Sequence, residues 1–380
     1  MFIRYYKTLL VTFFLLFSTY SLAQAPIPSA PIVGAKSYLV IDSKTGYEIA
    51  ALNPDLSLEP ASLTKIMTTY VAFKSIENGQ ISFEEEVTIS EKAWRTEGSR
   101  MFIEVGTKVK VKDLLYGIII QSGNDASVAL AEHIAGTEDM FAELMNQYAN
   151  ALGMNSSNFL NSTGLPSVNH ITTARDLAIL TRAIIQEFPD FYKWHSIKNF
   201  TYNNIKQNNR NSLLWRDESI DGVKTGYTED AGYCLVSSAK RNDMRVISVV
   251  LGTSSNKARS DGSQALINYA FRFFETKLLF KAGEEISKLR VWKSKNIYSS
   301  LGVLEDLYIT LQRGSYNNLQ SNLEVPAAIL APISTGQPIA NLILSLNGEE
   351  IFSTPLRSLE DNPLGTFWQR SKDTINLWFE

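Results

Sequence analysis

The sequence predicts an α/β (α+β) fold: an antiparallel sheet with an inserted helical subdomain, then a small all-β domain and a C-terminal amphipathic helix. Three observations predict it. Strand-like runs at 37–52 and 221–252 enclose a long block of helical periodicity. Beyond about Lys288 the texture changes to short β-rich runs separated by turn residues. The last residues, Phe367–Glu380, gather aromatic side chains on one helical face.

The chain opens on a targeting pattern. Arg4 and Lys7 precede an almost wholly apolar run, Leu9–Phe17, and Ser21-Leu22-Ala23 and Ala23-Gln24-Ala25 offer small residues for cleavage. The run is short for a spanning helix, which takes about 20 residues. Residues 1–25 are therefore expected to be a signal peptide, removed after Ala23 or Ala25, with a retained membrane anchor as the alternative. Removal takes two cations and no acids, leaving 34 Lys and Arg against 39 Asp and Glu, a formal charge of −5 instead of −3. Such a balance does not suggest a nucleic-acid partner. Cys234 is the only cysteine, so an exported chain would draw its stability from its core and not from disulfides. About 355 mature residues exceed what one core usually takes, so at least two domains are expected. The expected division is 26–287, 288–362 and 363–380.

Ser37–Asp42 and Tyr47–Leu52 read as a hairpin, with Asp42-Ser43-Lys44-Thr45-Gly46 as its turn. Pro60-Ala61-Ser62 opens a helix through about Asn78, with Ile66, Met67, Tyr70, Val71 and Phe73 at helical spacing. Val111–Ile120 is strongly apolar and leads into Ser122. Asp125–Ala135, Met140–Leu152 and Thr173–Glu187 read as further helices. Asp221–Gly226, Gly232–Ala239 and Met244–Gly252 read as strands, and Ser263–Thr276 as a helix covering them. Val303–Leu311, Leu323–Leu330 and Leu342–Leu346 supply the β-domain, with turns at Ala331-Pro332 and Asn347-Gly348. At about 100° per residue, Phe367, Trp368, Ser371, Ile375, Trp378 and Phe379 share an arc of roughly 120°. That face suits the headgroup boundary of a membrane, and packing onto the β-domain is the alternative.

The chemistry lies in three short stretches in one order: Ser62-Leu63-Thr64-Lys65, Ser122-Gly123-Asn124 and Lys224-Thr225-Gly226. They offer a nucleophile with an amine three residues on, a second hydroxyl with an amide, and a second cation beside a hydroxyl, the equipment of acyl transfer through a serine ester. Each motif alone is weak, because the chain repeats them at Ser237–Lys240, Ser254–Lys257, Lys44-Thr45-Gly46 and Ser156-Ser157-Asn158. Context chooses among the copies. Ser62 and Lys65 fall in the first turn of a helix, on one face, where backbone N–H groups favour a developing oxyanion. Lys65 can take the serine proton when neutral, which burial or a nearby cation such as Lys224 would favour. The competing role of Ser62 is an N-cap. His133, His170 and His195 are the only histidines and stand in no metal-binding frame, so no metal or cofactor is expected.

The surroundings of the motifs are more specific. Pro60–Met67, Gln121–Ala126, Asn209–Trp215, Asp221–Gly226 and Phe271–Thr276 resemble the low-molecular-mass D-alanyl-D-alanine carboxypeptidases of the penicillin-binding protein 5/6 type. The resemblance runs from the signal segment to the tail. It implies a penicillin-binding, β-lactamase-like catalytic domain that removes the terminal D-alanine from peptidoglycan stem pentapeptides, and so controls cross-linking and cell shape. It implies Ser62 as nucleophile, Lys65 as its base, Ser122 as proton relay, and Asn124 as a holder of the peptide amide and Lys65. Lys224 would add positive potential. Thr225 and Arg259 would hold the substrate carboxylate beside Gly226. The N–H groups of Ser62 and Tyr227 would form the oxyanion hole. Partners implied are stem peptides ending in D-Ala-D-Ala, β-lactam antibiotics as inhibitors, and a membrane surface met by the C-terminal helix at the periplasmic face of the inner membrane. A D,D-endopeptidase, a weak β-lactamase and a non-catalytic peptidoglycan-binding scaffold are the alternatives. Tyr227 and Thr163 stand where relatives carry histidine, and residues 94–104 match poorly. These departures bear on rate and substrate preference.

Overall fold

The computed structural model describes residues 27–379. The expected signal peptide, with its cleavage site, lies outside the described residues. A five-stranded antiparallel sheet has the order Glu48–Leu52, Ser37–Asp42, Met244–Thr253, Gly232–Arg241, Ile220–Thr228. Strands from both ends of the helical block thus complete one sheet, as the sequence pattern predicts. The first hairpin turns on Asp42. Its buried Oδ1 accepts from the N–H groups of Lys44 (3.0 Å) and Thr45 (2.8 Å), and Gly46 takes φ +73°. The first Lys-Thr-Gly is therefore a turn and not a site.

Alternation along these strands divides the buried residues on the two faces of this sheet between two cores. Leu39, Ile41, Val236, Ile247, Val249 and Leu251 face the helical block. Tyr38, Val40, Leu235, Val246 and Val250 face the helix Asn256–Phe273 through Leu266, Ile267, Ala270 and Phe271. The helix Thr64–Glu77 is buried along most of its length and carries the core of the block, with Asn124–Ala135, Glu138–Leu152 and Ala174–Glu187 around it.

The covering helix lies further toward the N-terminus than its sequence pattern suggests. It starts at Asn256, where Ser255 Oγ caps the N–H of Ala258 at 3.0 Å, and it stops at Phe273. Phe274–Phe280 is instead a strand paired with Leu307–Gln312, so pairing runs across the expected division at residue 287. Thr276 explains the register: its Oγ1 donates to Asp42 Oδ2 at 2.7 Å and meets Thr310 Oγ1 at 2.9 Å, tying the β-rich part to the first hairpin. A second five-stranded sheet follows, in the order Glu285–Arg290, Tyr298–Gly302, Glu349–Ser358, Pro338–Leu346, Leu319–Glu324. The expected Leu323–Leu330 strand is only begun: it ends at Glu324, and Pro326 just beyond cannot donate to a ladder. Asn347-Gly348 is the expected turn, both residues at positive φ. Among the described residues no helix is long and apolar enough to cross a membrane.

Candidate active site

Ser62 sits in a short 3₁₀ turn, Ala61–Leu63, that runs directly into the helix Thr64–Glu77. Ala61 holds φ +48°, unusual for a residue with a side chain, so the turn depends on its neighbours. Two glycines make room for it. A Cβ on Gly226 would lie 3.0 Å from the Pro60 carbonyl oxygen, so the Ile220–Thr228 strand can lie against the Ser62 turn only without a side chain there. Gly164 is tighter still, its missing Cβ falling 1.8 Å from the Ala61 carbonyl oxygen.

Lys65 is 1% exposed. Its Nζ donates to Ser62 Oγ at 3.0 Å, Asn124 Oδ1 at 2.7 Å and the Thr163 carbonyl at 2.5 Å. Three acceptors and no directly bonded carboxylate surround this amine. Burial lowers its pKa from 10.5 to about 7; the Asp125 and Glu138 carboxylates work against that shift and the Arg210 guanidinium adds to it. Asn124 opens the helix Asn124–Ala135, which follows the apolar run through a wide turn at Gly117–Gln121. Ser122 ends that turn at φ +68°, and its Oγ accepts from Lys224 Nζ at 2.9 Å. Lys224 is itself buried, and burial together with the charges of Lys65, Arg210 and Arg259 holds its pKa well below 10.5.

A cleft of about 240 Å³ opens over these groups. Ser62, Ser122, Asn124, Thr225, Gly226, Tyr227 and Arg259 line it, and the two lysines lie buried beneath. Every site residue singled out from the sequence thus falls in one place. The repeated motif copies do not: Ser157 Oγ is bonded to Thr172 and Asp176, and Ser237 lies inside the sheet on the face away from the helical block. Arg259 is more committed than a free carboxylate clamp would be. Its Nη1 donates to the carbonyls of Gly226 (2.9 Å) and Cys234 (3.2 Å) and its Nε to Asn256 (3.0 Å). Tyr227 packs against Tyr233 with ring centroids 4.3 Å apart and the rings tilted by 34°, and it stands half exposed at the rim.

Chemically, the arrangement offers a hydroxyl beside an amine that exchanges its proton near neutrality, a second hydroxyl beside a second buried amine whose pKa is also lowered, and a cationic cleft for an anionic ligand.

The sequence motifs match a family model described as D-alanyl-D-alanine carboxypeptidase over residues 24–255, and one for the penicillin-binding protein 5 C-terminal domain over 274–363. The chain belongs to the D-alanyl-D-alanine carboxypeptidase family. It is 40% identical over 361 residues to D-alanyl-D-alanine carboxypeptidase DacA of Escherichia coli, covering 93% of this chain and 90% of that protein. It is 42% identical over 337 residues to DacA of Haemophilus influenzae, covering 87% and 86%. The fold is similar to penicillin binding protein 5 from Haemophilus influenzae, with a TM-score of 0.86 at 41% identity over 88% of this chain and 99% of that one.

Several residues of the site escape motif reading. Arg210 lines the cleft and donates to the Gln121 carbonyl (3.0 Å) and Ser99 Oγ (2.9 Å), joining two walls. Gly98, Ser99, Thr163, Gly164, Leu165 and Thr228 complete the lining. Asp125 anchors the loop just after Ser99, its carboxylate accepting from the N–H groups of Met101, Phe102 and Ile103. Arg210 and Asp125 fall in the runs Asn209–Trp215 and Gln121–Ala126, and Thr163 stands where relatives carry histidine, but nothing in the spacing of residues 94–104 marks Gly98 or Ser99.

Proposed function

We propose that this chain is a serine-type D,D-carboxypeptidase that cleaves the terminal D-alanine from peptidoglycan stem peptides through a Ser62 acyl-enzyme, and that β-lactams acylate the same serine. The observation that carries this reading is the buried Lys65 amine, 3.0 Å from Ser62 Oγ and with its pKa lowered to about 7. Neutral Lys65 takes the Ser62 proton as Oγ attacks the carbonyl between the two D-alanines. Asn124 orients Lys65 and the substrate amide. Ser122, backed by Lys224, passes a proton to the departing D-alanine amine as the C–N bond breaks. The N–H groups of Ser62 and Tyr227 meet the oxyanion, and Thr225, Lys224 and Arg259 hold the terminal carboxylate. Water then adds to the ester, releases the shortened peptide and restores the Ser62 hydroxyl.

The location is part of the proposal: export, and attachment to the periplasmic face of the inner membrane through the last helix. Phe367, Trp368, Ile375, Trp378 and Phe379 are all exposed, between 55 and 84%. The opposite side of the helix is pinned, with Asp373 accepting from the Lys293 N–H at 2.6 Å and a Thr366–Gln369 capping box fixing its start. A helix held by its polar side and open on its aromatic side suits an interfacial role. D-alanine release from a peptide ending in D-Ala-D-Ala, compared with Ser62→Ala, tests the function. Release is expected from the parent and none from the variant. A parent that is acylated by penicillin but releases no D-alanine would overturn the carboxypeptidase assignment.

A further inference from the structure

Asp125 takes no part in the steps above, yet its carboxylate is buried, 1% exposed, beside the residue that orients Lys65. Oδ1 accepts from the N–H groups of Met101 (2.8 Å) and Ala126 (2.9 Å), and Oδ2 from those of Phe102 (2.9 Å) and Ile103 (3.3 Å). One end of the irregular stretch Glu97–Ile103 therefore closes on a single carboxylate. The other end holds Asn124: its Nδ2 donates to the Glu97 carbonyl at 2.6 Å and its N–H to the Ser99 carbonyl at 2.7 Å. The fit is close, because a Cβ on Gly98 would lie 2.6 Å from Asn124 Nδ2. Phe102 is held at φ +69°, a conformation an aromatic residue does not choose unaided, so the stretch needs an anchor. Gln207 grips it from the far side, Nε2 donating to the Arg100 carbonyl at 3.2 Å.

We propose that Asp125 is a positioning residue for acyl transfer: its carboxylate fixes the Glu97–Ile103 stretch in the shape that orients Asn124 and, through Asn124 Oδ1, the Lys65 amine. The inference rests on reading Ser62 and Lys65 as the acylating pair. It separates Asp125 from an ordinary buried cap through charge. The ionisable groups acting on Lys65 are Asp125 and Glu138, which favour its protonated form, and Arg210 and Lys224, which oppose it; His170 nearby is held neutral by burial, its pKa lowered to about 4. Losing the Asp125 charge removes one of the two carboxylates that keep Lys65 protonated.

The test is the rate of acylation by a fluorescent penicillin across pH 5–9, roughly the window spanning the Lys65 limb, for the full chain and for Asp125→Asn, Gln207→Ala and Ser62→Ala. Asp125→Asn is expected to lower the plateau rate at least about tenfold and to move the acid limb to lower pH. Gln207→Ala loosens the same stretch without removing charge, so it is expected to lower the rate and leave the limb in place. A folded Asp125→Asn protein with the parent's rate, or with a lowered rate and an unmoved limb, would overturn the inference. Should Asp125→Asn not fold, parent-like acylation by Gln207→Ala overturns it. An adduct that survives Ser62→Ala would overturn the reading of the site itself, and this inference with it.

Discussion

Gly164→Ala should cripple acylation without touching any group that takes part in it. The added Cβ would lie 1.8 Å from the Ala61 carbonyl oxygen, 2.4 Å from its carbon and 2.8 Å from Thr64 Oγ1. Real Cβ atoms keep at least 3.0 Å from such neighbours, so the two backbones must part by roughly 1.2 Å. No flexible side chain can absorb the movement, because the obstacle is the backbone that immediately precedes Ser62. Gly164 also sits at φ +80°, where alanine costs about 1–2 kcal/mol. A nucleophile displaced by about 1 Å loses on the order of 100-fold in rate. The expectation is a folded protein with a loss of about 2 kcal/mol or more in stability and penicillin acylation slowed about 100-fold. Thermal unfolding and the pseudo-first-order rate of fluorescent penicillin labelling measure the two effects. Gly79→Ala is the control: it takes the same kind of φ, +70°, with nothing within 4 Å, so it should lose stability and keep the parent's acylation rate. A folded Gly164→Ala enzyme that acylates like the parent would refute the claim that the Gly164–Ala61 contact sets the position of Ser62.

Two further outcomes follow from the same geometry. Acylation should rise with pH through a limb near 7 and fall about tenfold per unit below it, because the neutral form of Lys65 accepts the proton and its pKa is lowered from 10.5 to about 7. The sign for stability is linked: the unfolded chain binds the extra proton between those values, so the Lys65 contribution is most favourable above 10.5 and is lost as pH falls to about 7. A flat acylation profile from pH 5 to 8, about one unit or more either side of the limb, would exclude Lys65 as the base. Removing residues from Phe367 onward should release the protein from phospholipid vesicles and leave peptide cleavage intact, since the exposed aromatic face is lost and the cleft is untouched. A truncated protein still bound to vesicles after a salt wash would contradict the anchoring role.

Much of the site was legible because acyl transfer demands particular side chains, and those sit in short contiguous motifs. Ser62 and Lys65 share a helical turn, so their meeting follows from spacing alone. The junction of that turn with Ser122 and Lys224 depends on a sheet built from both ends of the helical block, which the change of period already indicated. Other contacts left no such trace. Asp125 acts through backbone N–H groups and Arg210 in part through a backbone carbonyl, and backbone partners carry no residue signature. The helix at Asn256 begins with a polar turn, so its start is hidden until Ser255 is seen to cap it. Phe274–Phe280 mixes apolar and polar residues in a way that continues a helical pattern as well as it starts a strand, and pairing with Leu307–Gln312 decides it. In the β-rich part, Leu323–Leu330 is apolar enough for a strand, but Pro326 interrupts it.

The most direct test of the account is to label the purified protein with penicillin, digest it and locate the adduct. A penicilloyl ester on Ser62 is expected, formed quickly above pH 7, roughly where burial places the Lys65 amine, and absent from Ser62→Ala. An adduct on any other residue, or one that forms equally well when Lys65 is replaced by alanine, would contradict it.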